Sequence, residues 1–224
     1  MKQNRYEIKF VLNELEFIEV KYFLKYINSF KSYPQRCVSS LYYETYDYSS
    51  VKDNISGVSN RKKLRLRWYD DDTSPKVEIK NKFSRVGNKK TFLVDLLDKE
   101  AINTLSVRGL NQIIFNHLKK NHNETFLLNQ FVPVLKVFYE RDYYETNRGL
   151  RITIDKNINF SQVSPNQNIH FHRNIKFNKR VMELKFPVDL KSHVNDLIRH
   201  LNITPKRNSK FLLGMSKLGY VNYV

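Results

Sequence analysis

Alternation of apolar and polar residues predicts that much of the chain forms short β-strands. In YEIKF, residues 6–10, Glu7 and Lys9 alternate with apolar side chains. Successive side chains of a strand point to opposite faces, so these two charged residues share one face. The tripeptide NRG, residues 147–149, interrupts the strand pattern and predicts a tight hairpin turn. We predict strands at residues 5–12, 38–45, 62–69, 76–82, 88–94, 134–144, 149–155 and 180–186, with one more near 168–174.

Helical periodicity occurs in four stretches, at residues 14–30, 98–119, 188–201 and 209–218. Asp98 is the expected N-cap of the second stretch. Antiparallel strands with peripheral helices predict an α+β fold built on a closed antiparallel β-barrel of about eight strands. With 224 residues and no Pro- or Ser-rich linker, a single domain over residues 1–224 is expected. On the first of these helices, the predicted apolar stripe consists of Leu15, Ile18, Tyr22 and Ile27.

The charged positions of the predicted strands fall on one face, and most of them are basic. An open sheet with that face in water explains the alternation on any single strand. Cross-strand neighbours, however, lie only about 4.5–5.5 Å apart, so crowded like charges favour a closed sheet whose basic interior binds an anion. The residues that share this face are Arg5, Glu7 and Lys9; Arg61, Lys63, Arg65 and Arg67; Lys76, Glu78, Lys80 and Lys82; Arg151, Thr153 and Asp155; and Glu183 and Lys185.

Composition adds an anionic partner to this prediction. The chain has 39 Lys and Arg against 22 Asp and Glu, a formal net charge of +17. Such an excess is typical of proteins that bind nucleic acid, polyphosphate or acidic membranes, although a solvated basic surface is the alternative for charge alone. Cys37 is the single cysteine, which excludes an intrachain disulfide. Without a signal peptide or a membrane-spanning apolar run, we expect a soluble, cytoplasmic protein.

Several other chemistries are disfavoured by the sequence. It contains no glycine-rich phosphate loop and no set of residues that suggests a Ser-His-Asp or Cys-His site. His170 and His172 have the spacing of two zinc ligands, but without a third His or a Cys nearby a surface role is favoured. Nucleic-acid binding is disfavoured because Trp68 lies opposite Arg65 and Arg67, so base stacking and phosphate contact would not share a face.

Eight short motifs follow one another along the chain: RYEIKF, LRLRWY, VEIKNK, GNKKTF, VFYERDYY, LRITID, MELKFP and RNSKF. In this order they resemble the catalytic domain of the vacuolar transporter chaperone (VTC) complex, a polyphosphate polymerase. This domain belongs to the CYTH-like triphosphate tunnel metalloenzymes, and the resemblance extends from Arg5 to about Lys217. It implies transfer of the γ-phosphate of ATP, or use of another triphosphate, to extend inorganic polyphosphate. It also implies a Mn²⁺ or Mg²⁺ cofactor and a membrane-protein partner that this chain does not encode.

The resemblance also implies roles for individual residues. Glu183 would bind the metal, and either Lys89 or Lys90 would bind substrate, since alternation alone does not choose between them. Glu7 and Glu78 are favoured as ion-pair partners of lysines over metal ligands. Further substrate-binding residues would be Tyr139, Arg207 and Ser209. The residues expected to bind phosphate oxygens during catalysis are Lys9, Arg65, Arg67, Lys80, Arg141, Arg151 and Lys210.

Two other functions stay open at this stage. The same tunnel could hydrolyse inorganic or nucleoside triphosphates, but tunnel triphosphatases begin with Glu-x-Glu-x-Lys. Arg5 stands at the first of those positions, which favours the polymerase. A non-catalytic module that binds polyphosphate would need nearly the same cations, and metal-dependent turnover would separate it from an enzyme.

Overall fold

The computed structural model describes residues 5–58, 60–69, 75–83, 86–94, 97–122, 131–169 and 174–222. It contains one antiparallel sheet of nine strands, and each of the eight firmly predicted strands is confirmed. The strands are β1 (Arg5–Leu12), β2 (Phe30–Thr45), β3 (Arg61–Tyr69), β4 (Lys76–Phe83), β5 (Val86–Leu93), β6 (Phe131–Glu145), β7 (Arg151–Gln162), β8 (Asn174–Phe177) and β9 (Arg180–Pro187).

The strand order is β1-β9-β7-β6-β2-β3-β4-β5, and β8 pairs with β7. Among the described residues no pairing joins β1 to β5, so closure of the sheet into a barrel stays a prediction. The predicted hairpin is confirmed, since the Gly149 backbone nitrogen donates to the Thr146 carbonyl at 2.9 Å. Gly149 has φ +82°, a left-handed conformation that glycine adopts without a steric cost.

Six helices lie in the described part of the chain, and none of these is both long and apolar enough to cross a membrane. The first begins with a capping box, because Asn13 Oδ1 accepts from the Glu16 nitrogen at 2.9 Å and the Glu16 carboxylate accepts from the Asn13 nitrogen at 2.6 Å. The helices are α1 (Glu14–Tyr26), α2 (Ser49–Ile55), α3 (Lys99–Thr104), α4 (Val107–His122), α5 (Lys191–Arg199, after a 3-10 turn at Val188–Leu190) and α6 (Lys210–Lys217).

The helix expected over residues 98–119 is two helices. Asp98 caps α3 as predicted, accepting from the Ala101 nitrogen at 2.7 Å. The backbone then becomes extended at Leu105, and the Ser106 hydroxyl accepts from the Gly109 nitrogen at 3.1 Å as α4 begins. Serine competes for backbone hydrogen bonds in this way, so it favours a new N-cap over continuation of α3.

The chain divides into two compact units, each with its own core. The first unit consists of Met1–Cys37, Tyr139–Ile158 and Lys176–Ser209. The second consists of Val38–Phe138, Asn159–Ile175 and Lys210–Val224. The predicted single domain over the whole chain stays a prediction.

In the first unit, α1 and α5 cover the apolar face of β1, β7 and β9. Phe10, Ile152 and Leu184 are buried there, one from each strand. Fully burying such a side chain contributes about 1.5–3 kcal/mol. Because strand side chains alternate, burial of this face leaves the charged positions of the three strands on the other face.

Helix α1 packs through a different stripe from the predicted one. Its buried residues are Val20, Phe23 and Leu24, whereas Leu15 and Tyr22 are exposed, as is Ile18. The helix carries apolar residues on two sides, and both sides satisfy the 3.6-residue period. Periodicity therefore predicts the helix but does not choose the face that packs on the sheet.

The second unit is built in the same way. Helices α3 and α4 contribute Ile102, Leu110 and Ile114 to a core that includes the apolar side chains of β2, β3 and β4. The predicted split of β3 is confirmed, since Leu64 and Leu66 are buried in this core. The basic side chains at alternate positions of β3 therefore lie on the opposite face.

Candidate functional site

The first group of functional side chains lies on the charged face of the second unit, and we call it the arginine cluster: Tyr42, Arg65, Arg67, Glu78 and Lys89. Antiparallel register places Arg65 of β3 directly between Tyr42 of β2 and Glu78 of β4. Arg65 Nε donates to Glu78 Oε2, and Arg65 Nη1 donates to Tyr42 Oη at 3.2 Å. Lys89 Nζ forms an ion pair with the other carboxylate oxygen, Glu78 Oε1.

The arginine cluster is largely buried although it is charged, and Lys89 is its exposed member. Arg67 is 8% exposed and donates through Nε to Ser40 Oγ at 3.1 Å. Burial by itself would raise the pKa of Glu78, but Arg65, Arg67 and Lys89 lower it to about 2. Glu78 is therefore an ionised carboxylate at neutral pH, held by two cations, and buried charges need such partners.

Positive charge is in excess on this face of β3, β4 and β5. Lys63, Lys80 and Lys89 lie directly opposite one another across the three strands, and Arg67 lies opposite Lys76. Among the described side chains of this face on the three strands, Glu78 is the single carboxylate. Such a set of cations is suited to an anion with several charged oxygens, such as a phosphate chain.

Register also separates the two lysines that alternation could not. Lys89 lies opposite Lys80, whereas Lys90 lies opposite Ile79, a core residue. Residues directly opposite one another share a face, so Lys89 is on the charged face and Lys90 is on the other. Both side chains are exposed.

The second group lies on the charged face of the first unit, and we call it the carboxylate cluster: Lys9, Arg141, Asp155, Glu183 and Lys185. Glu183 of β9 has Lys9 of β1 as its register partner on one side, and its Oε1 lies 2.7 Å from Lys185 Nζ. Arg141 forms a bidentate pair with Asp155, with Nε–Oδ1 at 2.5 Å and Nη2–Oδ2 at 2.8 Å.

Burial in the carboxylate cluster is as deep as in the arginine cluster. Asp155 is completely buried and Glu183 is 6% exposed. Burial would raise the pKa of Glu183, but Lys185, Lys9 and Arg141 lower it to about 2. The Arg141 guanidinium also lies over the ring of Tyr139, 5.1 Å from its centroid.

The segment that precedes α6 is hydrogen-bonded to β1 at Lys9. The Lys206 backbone nitrogen donates to the Lys9 carbonyl at 2.8 Å, and Lys9 Nζ donates to the Asn208 carbonyl at 3.3 Å. Lys9 Nζ also lies 2.7 Å from Glu7 Oε1, as expected for an ion-pair partner. These contacts place the RNSK motif, with exposed Arg207 and half-buried Ser209, beside the carboxylate cluster.

The donor set for a metal is sparse. Among the described residues, no three His, Cys, Asp or Glu side chains are grouped so that they could hold an ion. Asp155 is engaged by Arg141 through both oxygens, whereas Glu183 pairs with Lys185 through Oε1. A single carboxylate fits Mg²⁺ or Mn²⁺ that brings phosphate and water ligands with it, not an ion held by protein alone.

Two predicted residues lie at the margins of these clusters. Arg151 is opposite Lys185 in register, but its side chain is 58% exposed and pairs with Glu145 at 3.4 Å. Lys210 begins α6 and acts electrostatically on Tyr42 in the arginine cluster. His170 and His172, the weak zinc candidates, lie outside the described residues.

The predicted site residues are thus divided between the two units. Sequence analysis gave no role to Tyr42 or Ser40, and it did not pair Asp155 with Arg141. The alternation of Ser40, Tyr42 and Glu44 along β2 was a usable signal, but their meeting with Arg65 depends on the register of β2 with β3. The first unit contains Lys9, Tyr139, Arg141, Arg151, Glu183, Arg207 and Ser209, and the second contains Arg65, Arg67, Lys80, Lys89, Lys90 and Lys210.

The chain matches one family model and is similar to several solved structures. The family model described as the VTC domain matches residues 4–219. HpAC1 from Hippeastrum, described as a candidate adenylyl cyclase with a dominant triphosphatase activity, is 14% identical with a TM-score of 0.58, covering 96% of both chains. No curated protein matches the chain by sequence.

Two further solved structures have a similar fold. The PH1819 protein from Pyrococcus horikoshii is 15% identical, with a TM-score of 0.53, covering 96% of this chain and 99% of its own. A candidate adenylate cyclase from Vibrio parahaemolyticus is 12% identical, with a TM-score of 0.52, covering 95% and 99%. At these identities the likeness shows the fold alone.

Proposed function

Because the chain belongs to the VTC domain family, we propose that it is a polyphosphate polymerase that transfers the γ-phosphate of ATP to inorganic polyphosphate. The observation that supports this most strongly is the cation-rich face of β3, β4 and β5, on which Arg67 is buried while Lys80 and Lys89 are exposed to solvent. Arg67 is 8% exposed and lies among lysines, and Glu78 is the single carboxylate among the described side chains there. A multivalent anion would offset the repulsion between these cations.

The reaction needs orientation and charge neutralisation more than a protein nucleophile. A terminal oxygen of polyphosphate attacks the γ-phosphorus of ATP, the bond from that phosphorus to the β–γ bridging oxygen breaks, and ADP leaves. The attacking oxygen is already ionised, so no strong general base is required. Arg65 and Arg67 hold phosphate oxygens with planar, multidentate donors, while Lys80 and Lys89 supply point charges.

Residues of the first unit contribute in a different way. Lys9 and Arg141 neutralise charge, and Tyr139 supports the Arg141 guanidinium through its ring. Glu183 is the residue that would hold Mn²⁺ or Mg²⁺, which when bound would neutralise triphosphate oxygens. Arg151, Arg207, Ser209 and Lys210 complete the proposed set. We also propose that the sheet closes around its charged face and that the protein acts with a membrane-protein partner.

Hydrolysis of a triphosphate is the second candidate. It is favoured by the fold shared with HpAC1, which is described as having a dominant triphosphatase activity. Hydrolysis requires activation of a water molecule, and two of the buried carboxylates are engaged in ion pairs on both oxygens: Glu78 by Arg65 and Lys89, and Asp155 by Arg141. Their ion pairs support transfer to phosphate over transfer to water.

The experiment that tests the proposal incubates the full chain with ATP and Mn²⁺ and resolves the products on a gel stained for polyphosphate. Wild type should produce a ladder of long chains and ADP. Arg65→Ala should lower the rate by about 10²–10³-fold, the usual cost of losing one donor to a charged transition state. Release of orthophosphate without a ladder would establish the hydrolase instead. Intact ATP, with polyphosphate still bound, would establish a binding module.

A further inference from the structure

Tyr42 is a buried phenol inside the arginine cluster, and the proposed reaction gives it no role. It is 7% exposed, and its ring stacks on Phe211 with centroids 5.4 Å apart. Its Oη accepts from Arg65 Nη1 at 3.2 Å. The ring is therefore fixed from one side and the hydroxyl from the other, which holds Oη on the charged face with the guanidinium.

The hydroxyl has hydrogen-bonding capacity beyond that one bond. A phenol has one proton to donate and lone pairs that accept. Since Oη accepts from a guanidinium, the phenol's own proton is available to another acceptor. The phosphate oxygens of an anion bound by Arg65 would be acceptors within the same cluster.

The charges that act on Tyr42 come from neighbouring elements of the second unit. Arg65 and Arg67 lie on β3, Lys210 is on α6, and Glu78 on β4 is the partner of Arg65. Burial alone would raise the pKa of Tyr42, but Arg65, Arg67 and Lys210 lower it to about 7. Without a ligand, an appreciable fraction of Tyr42 is therefore phenolate at neutral pH.

We propose that Tyr42 binds the phosphate ligand of the arginine cluster, and that its hydroxyl takes up a solvent proton on binding and donates it in a hydrogen bond to a phosphate oxygen. The bound anion adds negative charge beside Arg65 and Arg67, which then stabilise the phenolate less. A phenolate would also repel the phosphate oxygens, so the neutral phenol is the form that binds. This inference rests on the proposed function only in taking the ligand to be a phosphate chain.

The consequence is that binding becomes tighter as the pH falls. Proton uptake on binding means that affinity gains up to tenfold per pH unit below the pKa of the ligand-bound phenol and above that of the free one. Tripolyphosphate has its own titration, so the variant Tyr42→Phe supplies the baseline. It keeps the ring that stacks on Phe211 and removes only Oη.

The test records the phenolate absorbance of the full chain between about pH 6 and 9, with and without tripolyphosphate. The difference between wild type and Tyr42→Phe should show one phenolate with a midpoint near pH 7. Tripolyphosphate should move that midpoint up by about one pH unit or more. Titration calorimetry in two buffers of different ionisation enthalpy should show proton uptake by wild type that exceeds uptake by the variant.

Tyr43→Phe is the matched control. Tyr43 is the neighbouring residue on β2, but it belongs to the apolar core and burial raises its pKa. Its removal should leave the phenolate near pH 7 in place. If Tyr42→Phe fails to fold, the shift of the wild-type phenolate by tripolyphosphate, in parallel with Tyr43→Phe, decides the question.

The outcomes separate this inference from the proposed function. Absence of a Tyr42-dependent phenolate, or a phenolate that tripolyphosphate does not shift, overturns the inference even if ATP is converted to polyphosphate. A shifted phenolate with proton uptake supports it even if ATP is left intact. Failure of tripolyphosphate to bind at all overturns the inference and removes the support for an anion site.

Discussion

The two charged clusters are built from the same kinds of side chain but differ in their balance of charge. In the carboxylate cluster, basic Lys9, Lys185 and Arg141 lie with acidic Glu183 and Asp155, and Glu7, outside the cluster, forms an ion pair with Lys9 and balances the third cation. In the arginine cluster, Glu78 is the single carboxylate among the described side chains of β3–β5 on that face, and it already binds Arg65 and Lys89.

This difference indicates different tasks. A cluster with an excess of basic side chains gains free energy from an anion, because the ligand relieves the repulsion between them. A balanced cluster gains little from an anion alone, but a carboxylate such as Glu183 can accept a divalent cation that accompanies the anion. We therefore propose that the arginine cluster binds the anion and that the carboxylate cluster accepts the metal.

The largest effect on stability is expected from Asp155→Ala in the carboxylate cluster. It leaves the Arg141 guanidinium buried without its bidentate partner, which typically costs about 3–5 kcal/mol of unfolding free energy. Urea denaturation measures this. Glu14→Gln is the control, because the Glu14–Arg180 pair involves a carboxylate that is 74% exposed and should contribute about 0–1 kcal/mol. Equal losses in the two variants would show that Asp155 is not a structural partner of Arg141.

Gly214→Ala should perturb the second unit alone, through helix α6. An added Cβ would lie 2.6 Å from Leu135 Cδ2 and 2.8 Å from Phe160 Cδ1, so α6, with Lys210 at its start, would have to shift. Overpacking of this kind costs about 1–3 kcal/mol and should weaken tripolyphosphate binding as well. Gly109→Ala meets its nearest atom at 3.5 Å and should be tolerated. Unchanged stability and binding in Gly214→Ala would show that α6 is not tightly fixed.

The pH dependence of stability should be similar in the two clusters despite their different balance. The pKa values of Glu78 and Glu183 are each lowered from 4.5 to about 2, so both carboxylates bind protons more weakly in the folded state. Their contribution is complete above about pH 4.5 and is lost as the pH falls toward 2. The stability advantage of wild type over Glu78→Gln should shrink across that window in denaturant titrations. An advantage that is constant from pH 6 to about pH 2 would contradict the ion pairs described for Glu78.

The smallest expected effect tests whether the anion binds on only one face of β5. Lys89→Ala should weaken tripolyphosphate binding by about tenfold, a typical value for one charge-assisted contact, because Lys89 lies on the charged face with Lys80. Lys90→Ala should change it less than twofold, since Lys90 lies on the other face. Calorimetric titration of both variants measures the difference. A larger effect of Lys90→Ala would mean that ligand reaches the opposite face.

Sequence alone predicted the features that depend on local pattern. The split of β3 into Arg65 and Arg67 against Leu64 and Leu66 follows from two-residue periodicity, and Asp98 was predicted as a cap because capping is local. The break before α4 at Ser106 was missed because apolar periodicity continues across it.

What sequence could not supply is register and packing between distant segments. The choice of Lys89 over Lys90 depends on pairing with β4, and the place of Tyr42 depends on pairing with β3. The packed face of α1 depends on which apolar side meets the sheet. A register shift by one residue moves every side chain of a strand to the other face, so the places of Lys89 and Tyr42 do not follow from alternation alone. The packed face of α1 likewise does not follow from helical periodicity alone.

The division of tasks between the clusters is tested most directly by one binding measurement. Equilibrium dialysis would compare tripolyphosphate binding to wild type, Arg65→Ala and Glu183→Gln, with Mn²⁺ and with a chelator. We expect Arg65→Ala to bind about tenfold more weakly or worse in both conditions. Glu183→Gln should bind as well as wild type or better with chelator, since a negative charge is removed, and more weakly with Mn²⁺. Equal weakening of Glu183→Gln in both conditions, or no effect of Arg65→Ala, would contradict the assignment.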